Sequence, residues 1–288
     1  MYDARVIVDS ISPLRVRLTT MQVTFPRIIL PEWNTHRALS RNSQSSRARP
    51  LAKTIDDVLA DPFIPDEWGR NQSGMQAGSE IDDPHAAEAQ WRAALADMVG
   101  HAQVLGELGV HKQLVNRLLE PFMWHTVLCT ATDWSNLFAL RVHPDAQPEI
   151  RRAARLALRA YLDSSPRPVG YDQWHLPLLS ADELAEARHD PQRWLPVSTG
   201  RCARVSYLTH LGTRDPNADV ELHDRLLDSR HLSPFEHVAR PLHPAEGGAD
   251  GMSGNFRGWH QYRKDVPFEG DYAAALGLDD LTELLLAA

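Results

Sequence analysis

The stretch Asn34-Thr-His-Arg-Ala-Leu-Ser-Arg-Asn-Ser-Gln-Ser-Ser-Arg-Ala48 (NTHRALSRNSQSSRA) sets three arginines, one histidine, four serines and two asparagines side by side without a carboxylate. Such a segment needs a local reason, because the 288-residue chain is acidic, with a formal net charge of -8 and a pI near 5.9. An acidic balance disfavours a general nucleic-acid binder, whose affinity rests on a basic face. Guanidinium forks and short hydroxyls are instead the groups that hold phosphate oxygens. On a helix Arg37, Ser40 and Arg41 would lie one turn apart, while Ser43, Ser45 and Arg47 suit a loop wrapped round an anion. A solvated basic patch is the plainer alternative.

Around this segment the chain reads as one α+β body, a mixed or antiparallel sheet flanked by helices. VIVDS and LRVRLTTMQVTF alternate as strands about the turn at Ser12-Pro13. DPFIPDEWGRNQSGMQAGSE is an irregular loop of unusual length. Pro84 to about Leu108 has helical spacing and stops before Gly109, KQLVNRLL is a second helical stretch, and FMWHTVLCTAT is either a strand or a buried helix. DWSNLFAL and Asp145 to Asp163 read as helices, the latter amphipathic. Residues 164–196 read as a long surface connection between motif-bearing segments 1–163 and 197–270 of a single domain. Beyond it GRCARVSYLTH suggests a strand and then a loop, VELHDRLLDS a helix, HLSPFEHVARP a turn into a strand, and GNFRGWHQYRKDVP and LDDLTELLLAA helices.

Two cysteines, Cys129 and Cys202, stand outside any zinc spacing, and no long apolar run occurs, which fits a reducing cytoplasm and no membrane role. His101, His111, His125, His143 and His175 form no H-x-x-x-H pair and read as structural or surface residues. Trp68, Trp124, Trp134 and Trp174 read as core.

The opening segment resembles the signature of the flavin-dependent thymidylate synthases, R-H-R-x-x-S-x-N-x-x-S-x-R-Y. His36, Arg37, Ser40, Asn42, Ser45 and Arg47 stand in register with it, six of its eight fixed positions. Trp33 matches upstream in TFPRIILPEW; downstream, NRLLEP (Arg117, Pro121), NLFALR (Asn136, Arg141) and AQPEI (Ala146, Glu149, Ile150) resemble further family elements. ARVSY (Ala203 to Tyr207) and HLSPFEH (His231 to His237) resemble two motifs that precede the R-H-R segment in the family but follow it here, an order that suggests permutation. FRGWHQYRK echoes the signature weakly through Arg257, Trp259, Gln261 and Arg263, as a second copy or a replacement for the missing first arginine.

The resemblance implies transfer of a one-carbon unit from methylenetetrahydrofolate to C5 of dUMP, with FAD and NADPH, in a homotetramer whose sites lie between subunits. Carried over, His36, Arg37, Asn136 and His237 would contact the flavin. Ser45, Arg47 and Arg117 would hold the nucleotide phosphate, and Arg141 would sit at the pyrimidine edge and favour an ionised N3. The bland counterparts are a surface His36, ion pairs of Arg117 with Glu120 and of Arg141 with Asp145, and His231 and His237 ordering the turn at Pro234. Thr35 and Ala48 depart from the signature, Ser43 stands where the family has a glutamate, and Glu32 where it has a glutamine. These changes raise three alternatives: dCMP as substrate, hydroxymethylation at C5, and a silent nucleotide- and flavin-binding relative.

Overall fold

In the computed structural model of the chain, residues 1–205, 214–246, 254–269 and 286 are described. The strands are β1 (Asp3–Ile11), β2 (Arg17–Pro26), β3 (Ser40–Ser43), β4 (Trp124–Ala131), β5 (Arg167–Pro168), β6 (Ala239–Pro241) and β7 (Trp259–Gln261). The helices are α1 (Leu30–Asn34), α2 (Leu51–Ala60), α3 (Pro84–Glu107), α4 (Lys112–Val115), α5 (Ser135–Arg141), α6 (Pro148–Asp163), α7 (Ala181–Ala187), α8 (Pro191–Ala203) and α9 (Pro216–Asp228). The main sheet runs β3-β4-β2-β1-β5, antiparallel except for the β1–β5 pair, and β6 and β7 form a small antiparallel ribbon. The fold is thus α+β with a mixed sheet flanked by helices.

Strand alternation gives the sheet two different faces. On one, Met21, Val23 and Phe25 of β2 with Val127, Cys129 and Ala131 of β4 pack against Trp134, Leu137, Ile150, Ala153 and Ala157 of the α5–α6 region, all buried. On the other, Ser10, Thr20 and Thr130 join Leu18 and Leu128, and this face is covered by the C-terminal half. A separate cluster joins Ile55 and Val58 of α2 to Leu95, Val99 and Ala102 of α3 and to Leu119 and Phe122.

The expected strand pair, the helix from Pro84, and the helices at 135–141 and 148–163 are present. α3 stops where Gly109 takes φ +80, a left-handed value open to glycine. FMWHTVLCTAT is a strand, because β4 hydrogen-bonds on both sides, to β2 and β3.

Other expectations need correction. Ser40 and Arg41 lie on strand β3, paired to β4, and not on a helix. The KQLVNRLL helix is one short turn, α4, followed by a 3-10 segment, Asn116–Phe122, that accommodates Pro121. Residues 164–196 are not merely a surface connection: His175, Leu176, Trp194 and Leu195 are buried, and α8 goes on to bury Val197 to Cys202. α8 runs on through Gly200 to Ala203, so GRCA is helix rather than strand. A Cβ at Gly200 would come within 2.2 Å of the Asp219 carbonyl, so glycine is what lets α8 and α9 touch. GWHQ is strand β7, paired to β6, with only a 3-10 turn after it. Ser206, Tyr207 and the expected tail helix, except Leu286, lie outside the described residues. No helix among the described residues is long and apolar enough to cross a membrane.

Candidate active site

The signature residues fall into three groups around β3, the edge strand of the main sheet. The first forms where α1 ends. Pro31 starts that short helix, Trp33 buries its ring against Phe25 at 4.8 Å, and Thr35 closes the turn by donating from Oγ1 to the Glu32 carbonyl at 2.6 Å. His36 follows, only 5 % exposed. Arg141, at the end of α5, donates from Nε to His36 Nε2 at 2.9 Å, and from Nη2 to Thr35 Oγ1 at 3.3 Å and the Glu32 carbonyl at 3.5 Å.

Burial and the Arg141 charge push the His36 pKa down, and a hydrogen bond to Asn136 on α5 only partly opposes them. His36 is therefore a neutral imidazole whose Nε2 lone pair takes the guanidinium, which leaves the ring proton on Nδ1. Arg141 makes this contact in place of the ion pair to Asp145 expected as its bland alternative. It also reaches the position where the signature carries its first arginine, now Thr35.

The second group lies on the opposite face of β3. Register with β4 pairs Ser40 with Thr130 and Asn42 with Leu128, so Ser40 and Asn42 point toward the C-terminal half. There Ser233 donates to Asn42 Oδ1 at 2.9 Å, and Asn42 Nδ2 donates to the Cys202 carbonyl at 2.7 Å. Ser40 donates to Asn255 Oδ1 at 3.0 Å, Asn255 to the Ala38 carbonyl at 3.0 Å, and Gln261 to Ser40 Oγ at 3.3 Å and the Glu236 carbonyl at 3.3 Å. The displaced motifs thus return to the opening segment across some 160–220 residues of chain.

His237, fully buried, meets Thr130 Oγ1 through Nδ1 at 2.8 Å, and its Nε2 has no partner among the described residues. Burial lowers its pKa to about 3. His231 shares none of these bonds among the described residues. Arg263 is held by Glu236 at 2.5 Å and Glu269 at 3.0 Å, and the exposed Arg257 lies 3.3 Å from Asp133, neither bonded to Thr35 or His36 among the described residues.

The third group lies past β3. Ser46 Oγ donates to Glu120 at 2.6 Å, and Asn116 Nδ2 donates to the carbonyls of Ser46 at 2.7 Å and Arg49 at 3.1 Å. Glu120 is also paired with Arg27 at 2.9 Å, so it lies only 3.7 Å from the more exposed Arg117 as a weak partner. Arg49 pairs with Asp57. These contacts fix the loop that carries Ser45 and Arg47. Asn116, Glu120 and Ser46 were not singled out from sequence as parts of the site. The one signal for them was their position inside the NRLLEP and SRNSQSSRA elements.

Arg37 and Arg47 are exposed and make no hydrogen bond or ion pair among the described residues. No hydrogen bond among the described residues joins the three groups. Two cavities, of about 470 and 790 Å³, lie beside α6 and the 65–81 loop, and neither is lined by a residue of the signature.

Both thiols are buried. The Cys129 pKa is pushed up to about 12 and that of Cys202 is also raised, each by burial. Neither can supply a thiolate nucleophile.

A buried histidine–arginine pair thus stands between α1 and α5, ahead of an edge strand lined by hydroxyls, with two exposed arginines that make no ion pair among the described residues. Residues 7–167 match the thymidylate synthase complementing protein family, more than half of the chain, and the chain belongs to this family of flavin-dependent thymidylate synthase-like enzymes. Similar solved structures include the UMP/dUMP methylase PolB from Streptomyces cacaoi bound with 5-Br dUMP, 17% identical over 56% of this chain and 90% of that one, TM-score 0.45. Thymidylate synthase X from Helicobacter pylori with FAD and dUMP is 16% identical over 50% of this chain and 67% of that one, TM-score 0.38. No curated protein matches the chain.

Proposed function

We propose that the chain methylates C5 of a pyrimidine deoxynucleotide, dUMP in the first place, with methylenetetrahydrofolate as one-carbon donor, FAD as cofactor and NADPH as reductant. The observation that carries this reading is the donation from Arg141 to the neutral ring of His36, next to Asn136. A neutral histidine accepts the guanidinium without adding a second charge, so the pair presents one fixed cation to a pyrimidine. A cation at the N3 edge stabilises the ring's anionic form and raises electron density at C5 without a covalent thiolate. Arg141 is held in place by three acceptors, so little reorganisation is needed as charge develops.

The residues present fit the implied cofactor. Among the described residues His237 Nε2 is buried without a partner and Arg37 makes no ion pair, and both suit a polar, anionic ligand. Bound FAD would supply the redox chemistry of the transfer. His36, Arg37, Asn136 and His237 would orient it, while Ser45, Arg47 and Arg117 would bind the nucleotide phosphate through charge-assisted bonds. The single domain and the homotetramer belong to the same reading. Arg37 and Arg47 stand at the surface of one chain, where a neighbouring subunit would complete the pocket.

One observation favours a second reading. Glu32 Oε2 is buried without a partner, on the residue whose carbonyl receives Arg141. A carboxylate oxygen there would accept the exocyclic amine of a cytosine, which makes dCMP the alternative substrate. Anaerobic turnover with FAD, NADPH and methylenetetrahydrofolate, offering dUMP and dCMP in turn, separates these by product mass. A methyl gain on dUMP is the expected result; no product from either nucleotide would leave a silent binding protein.

A further inference from the structure

Five fully buried residues form one continuous hydrogen-bond chain across the polar face of the main sheet. Ser10 Oγ meets His175 Nδ1 at 2.8 Å, and His175 Nε2 meets Thr20 Oγ1 at 2.7 Å. Thr20 Oγ1 meets Thr130 Oγ1 at 2.6 Å, and Thr130 Oγ1 meets His237 Nδ1 at 2.8 Å. Ser10, Thr20 and Thr130 come from neighbouring strands β1, β2 and β4, with Thr20 and Thr130 directly opposite in register. The two histidines come from adjacent extended segments, since His175 bridges Ala239, two residues past His237.

Proton counting leaves this chain only two arrangements. Burial pushes both imidazoles down to about 3, so each is neutral and carries one N–H and one lone pair. Each threonine hydroxyl has one proton, and both of its neighbours are in the chain. All four bonds must therefore run head to tail in the same direction.

If Ser10 donates first, both histidines carry their proton on Nε2, and the donor left over is His237 Nε2–H. If the direction reverses, both carry it on Nδ1, and the donor left over is the Ser10 hydroxyl at the far end, as fully buried as His237. An unpaired buried donor is costly. A ligand acceptor at His237 would relieve that cost in the first arrangement and not in the second.

We infer that Ser10, Thr20, Thr130 and His175 are positioning residues that hold His237 with its proton on Nε2, presenting that buried nitrogen as a donor to a carbonyl oxygen of the bound ring ligand. The identity of that ligand rests on the flavin reading above; the proton order does not. His175 is thereby tied to the site although it lies in the segment that reads from sequence as a connection.

The test is the histidine tautomer, read by long-range proton–nitrogen correlation on ¹⁵N-histidine-labelled full-length protein without and with FAD. The expected result is Nε2–H at both His175 and His237. In Thr130→Val His237 should lose this preference, and FAD should bind about tenfold more weakly, the loss of about one well-made hydrogen bond. Thr130→Ser should restore both. If Thr130→Val does not fold, Thr20→Val severs the chain one link further away and should also erase the preference. Nδ1–H at His237 in the unaltered protein, or a tautomer indifferent to both valine variants, would overturn the inference. So would FAD binding that leaves the His237 Nε2–H resonance in place. If the unaltered protein binds no FAD while the tautomers shift as expected, the flavin reading fails and the proton order stands.

Discussion

The two faces of the main sheet are built from the same strands and serve different ends. Along β2, Met21, Val23 and Phe25 meet α6 and its neighbours in an apolar core, while Leu18 and Thr20 on the other face meet the C-terminal half, with Thr20 inside a polar chain. The apolar face gains from area removed from water and tolerates approximate fit. The polar face gains only if every hydroxyl and imidazole finds its partner, so small changes there alter chemistry before they alter stability. A period of two residues lets one strand hold both.

The comparison can be broken at several points. Arg141→Ala should lower turnover about a thousandfold, roughly 4 kcal/mol of transition-state stabilisation, with the melting temperature nearly unchanged. Arg141→Lys should recover little, because one ammonium cannot serve His36, Thr35 and the Glu32 carbonyl together. On the apolar face the order of effects reverses. Met21→Ala should cost about 3 kcal/mol in denaturant unfolding while FAD affinity per folded molecule stays constant.

Acid should act through the buried histidines. His125, His175 and His237 are each depressed to about 3. The unfolded chain binds their protons from about pH 6.5 downward and the folded chain does not, so the stability they contribute is complete above about pH 6.5. It is lost as pH falls toward 3, by roughly 1.4 kcal/mol per pH unit for each of them within that window. Equilibrium unfolding between pH 7 and 4.5 measures the slope; a flat profile would show that these rings are charged or exposed. The smallest effect belongs to Ser233→Ala, which removes one bond to Asn42 and should cost about 1 kcal/mol.

Much of the architecture was legible because its signals are local. The alternation in LRVRLTTMQVTF, the spacing of α3 and α6 and the stop at Gly109 each express the period of one element. What was misread depends on partners far away in sequence. SRNS pairs as a strand only because β4 offers an edge, and GWHQ only because β6 does. α8 escaped notice because it is buried nearly all round and carries a charge inside, so it has little amphipathic pattern. Arg201 is tolerated there because Asp219 at 2.8 Å and Glu183 at 2.6 Å neutralise it.

For the candidate site, the register of His36, Arg37, Ser40, Asn42, Ser45 and Arg47 carried the family resemblance, since residue types at fixed spacing are a property of the chain alone. The family resemblance implies that His36 and Asn136 share a flavin and that Arg141 lies at the pyrimidine edge; the direct bond from Arg141 to His36 comes only from the fold. The fastening of Ser46 by Asn116 and Glu120, and the proton order behind His237, were not legible at all. A sequence records which donors and acceptors exist. Only the folded sheet, by placing Ser10, Thr20 and Thr130 on one face between two histidines, decides which of them must share a proton, because hydrogen bonding is set by distance and direction rather than by order along the chain.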